Sequence, residues 1–300
     1  MSQTITPEKN NPVPISSLNG DRPSNITTPG VLSGEFLQET MALTKRLFIQ
    51  LQRRPSTLAA GVIQPLMWLI LFGALFQNVP EGLFGENQNY GQFLGAGVIV
   101  FTAFGGALNA GLPVMFDREF GFLNRLLVAP LASRFSIVLA SSIFIATLSM
   151  IQTAVIVAAS AFLGAGLPGL AGLSLVTAIV LLLVLGVTGI SLGLAFALPG
   201  HVELIAVIFV TNLPLLFAST ALAPLSFMPM WLQWVASLNP LSYAIEPIRL
   251  IYTHASWSVS DVILSTPFAD VTLAVALMIL LGFDAIALLG VRLLLRRTLS

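Results

Sequence analysis

The run LSLVTAIVLLLVLGVTGISLGLAFAL, residues 173–198, contains no charged side chain. A helix crosses the roughly 30 Å hydrocarbon core of a bilayer with about 20 residues, so this run is long enough to span a membrane. Five further apolar runs lie at residues 58–76, 93–115, 135–163, 204–227 and 271–291. The sequence therefore predicts an all-α membrane protein with six transmembrane helices.

The composition of the whole chain agrees with a place in the lipid bilayer. Charged residues make up 9% of the 300 positions, whereas soluble domains carry about 25%. Lys+Arg and Asp+Glu number 13 each, so the net charge is zero and no basic field exists to bind nucleic acid. The absence of cysteine excludes disulfides, thiolate metal sites and a cysteine nucleophile.

The positions of the basic residues predict the orientation of the helices. Twelve of the 13 Lys and Arg precede the first run, follow the last run or lie between the second and third, and Arg249 is the exception. Because Lys and Arg collect in cytoplasmic loops, both termini are predicted to be cytoplasmic in a multi-pass protein of the plasma membrane. Residues 1–33 are rich in Pro, Asn, Ser and Thr and predict a disordered cytoplasmic tail, which is either a simple linker or a targeting or partner-binding segment.

Residues 34–54 predict an amphipathic connecting helix before the first span. At 100° per residue, one arc of this helix collects its apolar side chains, which are Phe36, Leu37, Met41, Leu43, Leu47, Phe48 and Leu51. Lys45 and Arg46 belong to the opposite, charged arc, and Ser33 is the expected N-cap. Such a helix can anchor the chain in the cytoplasmic membrane interface or dock a second protein.

The segment FDREFGFLNRLLVAPLASR, residues 116–134, is the most charged part of the membrane region. Its charges alternate in sign and are interleaved with Phe and Leu; they are Asp117, Arg118, Glu119 and Arg125. Alternating charges often form only a solvated helix face. Five bulky apolar residues beside them favour a contact surface for a soluble partner.

The segment PMWLQWVASLNPLSYAIEPIRLIY, residues 229–252, contains two apolar stretches that are each too short to span a bilayer. Asn239 is expected to cap a helix that begins at Pro240, which predicts an outer re-entrant helical hairpin packed on the ends of the spans. Glu246 and Arg249 are three residues apart on the second half-helix and can form an ion pair. We favour a structural ion pair over a substrate contact.

The sequence offers no residues for catalysis or metal binding. Lys9 and Lys45 are its two lysines, and neither follows Gly, so a P-loop is absent. It also lacks the HExxH motif. His201 and His254 are predicted on opposite faces of the membrane, with His201 in an interfacial turn, so no metal site is expected.

The polar side chains inside the predicted spans that are most able to line a translocation path are Asn109, Thr211, Asn212 and Asp284. A single carboxylate such as Asp284 is more often a structural or gate contact than a proton relay, which requires a chain of acids and histidines. The GxxxG motif at residues 189–193 predicts close helix packing, within the chain or across a dimer. Pro113 and Pro214 are expected to kink their spans.

LNPLSYAIEPIR, residues 238–249, resembles the LNPxxYxxExxR signature of the permeases of type-2 ABC exporters. Three other stretches are similar to that family, most of all to its daunorubicin-resistance-like branch of drug and lipid exporters. They are RRPSTLAAGVIQPLMWLILFGALF at residues 53–76, DREFGFLNRLLVAP at residues 117–130, and the basic residues that close the chain. The matching signature positions are Asn239, Pro240, Tyr243, Glu246 and Arg249.

The resemblance implies that residues 55–300 form a six-span permease domain that pairs with a second permease chain, expected to be identical. It also implies two cytoplasmic ABC ATPase subunits, which bind ATP-Mg, so that this chain binds no cofactor. Asp117, Arg118, Glu119 and Arg125 then lie on the coupling helix, and Lys45 and Arg46 on the connecting helix. Phe122 and Asn124 depart from the family, where a Thr and a second acid are common in this loop.

The expected function is export of an amphipathic, drug-like or lipid-linked substrate, driven by ATP hydrolysis on the partner. An ion-coupled secondary carrier or channel is the alternative, although the sequence shows no internal repeat and only one acid within a span. A membrane-bound lipid transferase ranks last because the chain lacks a candidate nucleophile or metal site.

Overall fold

The computed structural model describes residues 34–53, 55–76, 78, 90–121, 135–254 and 256–298. Helices account for most of them, and one short antiparallel hairpin precedes the last helix. The helices are α1 (Gly34–Arg53), α2 (Pro55–Leu75), α3 (Tyr90–Leu108), α4 (Gly111–Glu119), α5 (Phe135–Ser160), α6 (Leu170–Ala197), α7 (His201–Phe217), α8 (Met230–Leu238), α9 (Pro240–Thr253) and α10 (Leu273–Thr298). The strands are β1 (Val262–Ser265) and β2 (Asp270–Thr272).

Five segments of the described chain are long and apolar enough to cross a membrane. They are Leu58–Leu75, Phe93–Glu119, Ser136–Leu163, Leu170–Ala197 and Leu273–Leu293. The apolar helix α7 is shorter, and its 17 residues extend about 25 Å at 1.5 Å per residue. The predicted all-α membrane architecture is confirmed.

Helix α7 ends at Phe217, whereas the sequence predicts a span that continues to residue 227. The side-chain amide of Asn239 donates to the carbonyls of Leu215 and Ala218, 2.8 and 2.6 Å away. Because these carbonyls are taken by a side chain from elsewhere in the chain, the helix does not need further turns to satisfy them. The prediction of the span's end was therefore wrong, and only a short 3-10 turn forms at Leu225–Phe227.

The second predicted span is divided into α3 and α4 by a break at Asn109 and Ala110. Ser191 of α6 bridges this break, because its hydroxyl accepts from the Gly111 N–H at 2.9 Å and donates to the Leu108 carbonyl at 2.6 Å. Pro113 has no N–H to donate to the carbonyl four residues earlier, so a continuous helix would lose that bond. The helix is thus interrupted at Asn109, four residues ahead of Pro113, where a kink was expected.

The core is built around α3 and α6, which contact each other and most of the other long helices. Phe93 and Ile99 of α3 and Leu183 of α6 are among the fully buried side chains. Gly189, from the predicted GxxxG motif, lies against α10, because a Cβ added to it would be 3.7 Å from the Cβ of Ala287. This motif is therefore used for helix packing within the chain.

Helix α1 packs against α5 with one part of its predicted apolar arc. Phe36 and Leu47 are buried, and Phe48 makes an edge-to-face contact with Phe144 at 5.1 Å between ring centroids. Leu37 and Met41 remain 56% and 64% exposed. One part of the apolar arc of α1 therefore contacts α5, and the other part is exposed. Ser33, the predicted N-cap of this helix, lies outside the described residues.

The predicted helical hairpin is confirmed as α8 and α9, which are separated at Asn239. Its side-chain oxygen accepts from the Leu241 N–H at 3.0 Å, and Pro240 is the first residue of α9. The strands β1 and β2 follow, although the sequence analysis did not predict them. Val271, where the last span was expected to begin, lies in β2, and Leu273 starts α10.

Candidate functional site

Polar and charged side chains collect at two opposite ends of α7. The first group, which we name the basal cluster, lies where α4 ends and α7 begins, and it consists of Arg46, Asp117, Arg118, Glu119 and His201. Arg46 of α1 donates two parallel hydrogen bonds of 2.8 Å to the two carboxylate oxygens of Asp117 in α4. This fork-to-fork geometry fixes both the distance and the orientation of α1 relative to α4.

Arg118 holds the carboxyl-terminal end of α6. Its guanidinium donates to the carbonyls of Ala195, Phe196, Leu198 and Pro199 at 2.9, 3.3, 2.5 and 2.7 Å. The last carbonyls of a helix lack intrahelical partners and form the negative end of the helix dipole. A cation from α4 therefore caps α6.

Glu119 holds the amino-terminal end of α7 in the complementary way. One carboxylate oxygen accepts from the backbone N–H of His201 at 2.6 Å, and the other lies 2.5 Å from its imidazole Nδ1. Gly200, at the N-cap position, has no side chain to supply this acceptor. An anion from α4 thus replaces the missing cap at the positive end of the α7 dipole.

The structure brings together most of the residues predicted to couple the chain to an ATPase. Asp117, Arg118 and Glu119 contact α1, α6 and α7, so their side chains are engaged within the chain. Lys45 of α1 is exposed. Arg125 lies outside the described residues. His201 was not predicted to belong to this site. The signal was Gly200, directly before α7, because glycine has no side chain to cap the helix and another segment must supply the acceptor.

The second group lies at the other end of α7, and we name it the hairpin cluster. Its members come from α9, the α8–α9 break and the chain after α7, and they are Thr220, Asn239, Glu246 and Arg249. The predicted ion pair between Glu246 and Arg249 is confirmed. Arg249 also donates to the Thr220 carbonyl at 2.7 Å, and its Cζ lies 3.6 Å from the centre of the Phe93 ring.

Arg249 is buried, which explains why it needs three partners. Burial lowers the pKa of its guanidinium, and the Glu246 carboxylate acts in the opposite direction. Glu246 and Arg249 have relative exposures of 8% and 7%, so each side chain depends on the other to remain charged away from water. Tyr243 closes the hairpin, since its hydroxyl donates to the Ser237 carbonyl at 2.5 Å, and burial raises the pKa of this phenol.

The four candidate path residues lie in two places. Asp284 packs against Gly186 of α6 and is 8% exposed. Asn109 lies at the α3–α4 break and is exposed, while Thr211 and Asn212 are partly exposed in α7. Along the chain, Asn109 lies ten residues before Glu119, and Asn212 lies eleven residues after His201. The described residues contain no group of three or more His, Asp or Glu able to hold a metal ion.

Comparisons with known proteins identify the family. The family described as ABC-2 type transporter matches residues 38–253. A chain of Porphyra purpurea named transport permease ycf38 is 56% identical over 260 residues, which cover 86% of this chain and 89% of that one. Its namesake in Cyanophora paradoxa is 53% identical over 275 residues, 92% of this chain and 93% of that one.

A more distant relative is named for resistance to doxorubicin. The Mycobacterium tuberculosis chain named doxorubicin resistance ABC transporter permease protein DrrC is 26% identical over 224 residues, 71% of this chain and 76% of that one. The family match covers more than half of the chain, and it includes both clusters around α7. This multi-pass membrane protein therefore belongs to the ABC-2 type transporter family and is an ABC transporter permease.

Proposed function

We propose that this chain is the membrane subunit of an ATP-driven exporter whose ATP hydrolysis takes place on a separate ABC ATPase bound at the basal cluster. The observation that carries the proposal is the basal cluster itself, which joins α1, α4, α6 and α7 through charged side chains. A soluble motor that displaces α4 would displace all four helices. This end would face the cytoplasm of a cell whose plasma membrane holds the chain, as the distribution of basic residues indicates.

An exposed surface beside the basal cluster supports ATPase docking. Phe120, directly after α4, is 78% exposed, and Lys45 is exposed on α1. With Arg46, Asp117, Arg118 and Glu119 engaged internally, docking would use these neighbouring side chains. A large exposed aromatic residue beside charged groups is typical of a protein contact.

The residues of the candidate path suit an amphipathic substrate. Asn109, Thr211 and Asn212 place a few amide and hydroxyl groups on otherwise apolar helices. Such a surface can contact a drug-like or lipid-linked molecule with both apolar and hydrogen-bonding parts. The relative named for doxorubicin resistance supports this class. Asp284 lies against Gly186 of α6 and is largely buried, which disfavours ion coupling through it.

A second copy of the chain would cover the open side of α7. Val202, Phe209 and Phe217 are 64%, 75% and 56% exposed on this helix, and Asn212 has a buried side-chain oxygen without a hydrogen-bond partner. A short helix with an amide in its middle is a poor surface for lipid. A homodimer that packs α7 against α7 would cover the exposed Val202, Phe209 and Phe217 of both copies.

The proposal is tested by reconstitution. The tagged chain is purified in mild detergent with the ATPase that accompanies it, placed in liposomes, and assayed with doxorubicin as the first fluorescent probe. We expect movement that requires ATP and the ATPase chain. Movement driven by an ion gradient without the ATPase would overturn the proposal in favour of an ion-coupled carrier.

A matched pair of variants locates the ATPase contact. Phe120→Asp is expected to reduce the amount of ATPase that co-purifies, because it places a charge in the proposed docking surface. Phe268→Asp, at the opposite end and 55% exposed, is the control and should leave co-purification unchanged. Equal retention of the ATPase by the two variants would rule out docking at Phe120.

A further inference from the structure

Helix α7 is held at both of its ends by side chains from other elements. At its amino terminus, Glu119 of α4 binds the backbone and the imidazole of His201. At its carboxyl terminus, Asn239 binds the Leu215 and Ala218 carbonyls. Arg249 binds the carbonyl of Thr220, three residues after the helix. Both ends are thus tied by charged or bidentate hydrogen bonds, the stronger kinds available to side chains.

The flanks of α7 are held far less tightly than its ends. Of its 17 residues, the buried ones are Leu204, Ile208 and Leu216, which form a single stripe. Phe209 and Val210 are 75% and 70% exposed. A helix that packs along one narrow stripe can shift along its axis at lower cost than a helix enclosed on all sides.

The turn between α6 and α7 is held on both sides by consecutive residues of α4. Arg118 binds the carbonyls before the turn, and Glu119 binds the N–H after it. Gly200 lies between these contacts, and a Cβ there would be 3.0 Å from a carboxylate oxygen of Glu119. Displacement of α4 must therefore carry the start of α7 with it unless these bonds break.

We propose that α7 is a rigid link that transmits displacement of α4 to the α8–α9 hairpin, with Glu119 and His201 as the positioning residues at its input and Asn239 and Arg249 at its output. The inference rests on the proposed function, because it needs a motor that acts on α4. It assigns to His201 a role in transport, and it gives the hairpin the role of a moving part at the far end of the path.

The absence of cysteine from the sequence permits a direct test of the input contact. In the double variant Glu119→Cys/His201→Cys, the two introduced cysteines at this contact are the only thiols of the permease chain. We expect the reconstituted complex to transport about tenfold more slowly, as expected for the loss of a charge-assisted bond. Retention of the ATPase and the rate of ATP hydrolysis are measured on the same sample, and transport is compared per molecule of bound ATPase. A short bis-methanethiosulfonate cross-linker should restore transport, and the same reagent should not rescue either single variant.

Each result of this experiment decides between the proposals. Transport at the wild-type rate by the untreated double variant, or no recovery after cross-linking, would overturn the role of α7 as a link. Absence of ATP-dependent transport in the wild-type complex would instead refute the proposed function. Because only the cross-linked pair should recover, a loss of ATPase docking or a general folding defect would not produce the expected pattern.

A distance measurement tests the link without weakening any contact. Spin labels at Val202→Cys and Leu238→Cys, which are 64% and 74% exposed, report the span from the start of α7 to the end of α8. A label at Met278→Cys on α10, where the native side chain is 60% exposed, replaces the second site in the reference pair. We expect the first distance to stay constant between nucleotide-free and ATP-bound complexes while the reference distance changes. The inference fails if the first distance changes as much as the reference, or if neither changes.

Discussion

The hairpin cluster contains the ion pair whose removal should be most costly to the fold. We predict that Arg249→Met lowers the free energy of unfolding by about 3–5 kcal/mol, the usual effect of leaving one partner of a buried pair uncompensated. Three losses contribute: the Glu246 carboxylate stays buried, the Thr220 carbonyl loses its donor, and the cation above the Phe93 ring disappears. The cation–π contact alone accounts for roughly 0.5–2 kcal/mol.

The same geometry predicts the order of a double-mutant cycle. Glu246→Gln should lower the free energy of unfolding by about 1–3 kcal/mol, which is less than the effect of Arg249→Met. The reason is that Arg249 keeps its hydrogen bond to the Thr220 carbonyl and its contact with the Phe93 ring. The double variant Glu246→Gln/Arg249→Met buries no charge at this place. Its loss of unfolding free energy should therefore be smaller than the sum of the two single losses by about 2 kcal/mol, within the usual range for residues in contact.

Intrinsic tryptophan fluorescence during denaturation provides the assay, since Trp231 and Trp234 lie in α8 beside the cluster. The chain is measured in mild detergent, and Arg292→Met serves as the control because Arg292 is exposed on α10. We expect no measurable change for the control. Strict additivity of the Glu246 and Arg249 effects would refute the reasoning, because it would show that the two charges do not depend on each other.

Three further predictions concern the packing of the membrane helices. Gly111→Ala should lower the melting temperature, because the added Cβ would overlap the backbone of Ser191. The control Gly105→Ala should be tolerated, since nothing lies within 4 Å of its added Cβ. Equal melting temperatures of the two variants would contradict the close approach of Gly111 to Ser191. Ser191→Ala should lower the free energy of unfolding by about 1–3 kcal/mol, because it leaves an N–H and a carbonyl at the α3–α4 break without partners. A stability equal to that of the wild type would show that water replaces the hydroxyl. Asp284→Asn should retain ATP-driven transport, because this side chain packs against Gly186 and is largely buried. Abolished substrate movement at unchanged ATPase binding would instead favour the ion-coupled alternative.

The sequence predicted those parts of the fold that depend on local patterns. Apolar length predicted the long helices, and the Asn239–Pro240 pair predicted the break between α8 and α9, because a capping side chain and a missing N–H act within three residues. The pairing of Glu246 with Arg249 was also local, since the spacing of three residues places both on one helix face.

The remaining features depend on contacts between distant segments. Glu119 and His201 are 82 residues apart, and Asn239 meets Leu215 across 24. The apolar run alone cannot show that the Asn239 amide donates to the carbonyls at the end of α7. The predicted end of this helix was therefore too late in the sequence. The helix break at Asn109 was missed for the same reason. Ser191, from a later helix, binds the Gly111 N–H and the Leu108 carbonyl that the break leaves without helical partners.

The use of charge in this chain supports a motor outside the membrane. Arg118 and Glu119 neutralise the two opposite dipole ends that meet at the α6–α7 turn, and Arg249 and Glu246 neutralise each other at the far end of α7. After His201 and Glu203 in its first turn, α7 carries only Thr211 and Asn212 as polar groups. A carrier that couples transport to protons or cations needs titratable groups along the path, where its ion binds and is released. Here the charged groups hold helix ends in place, which suits a path that is opened by force applied to α4.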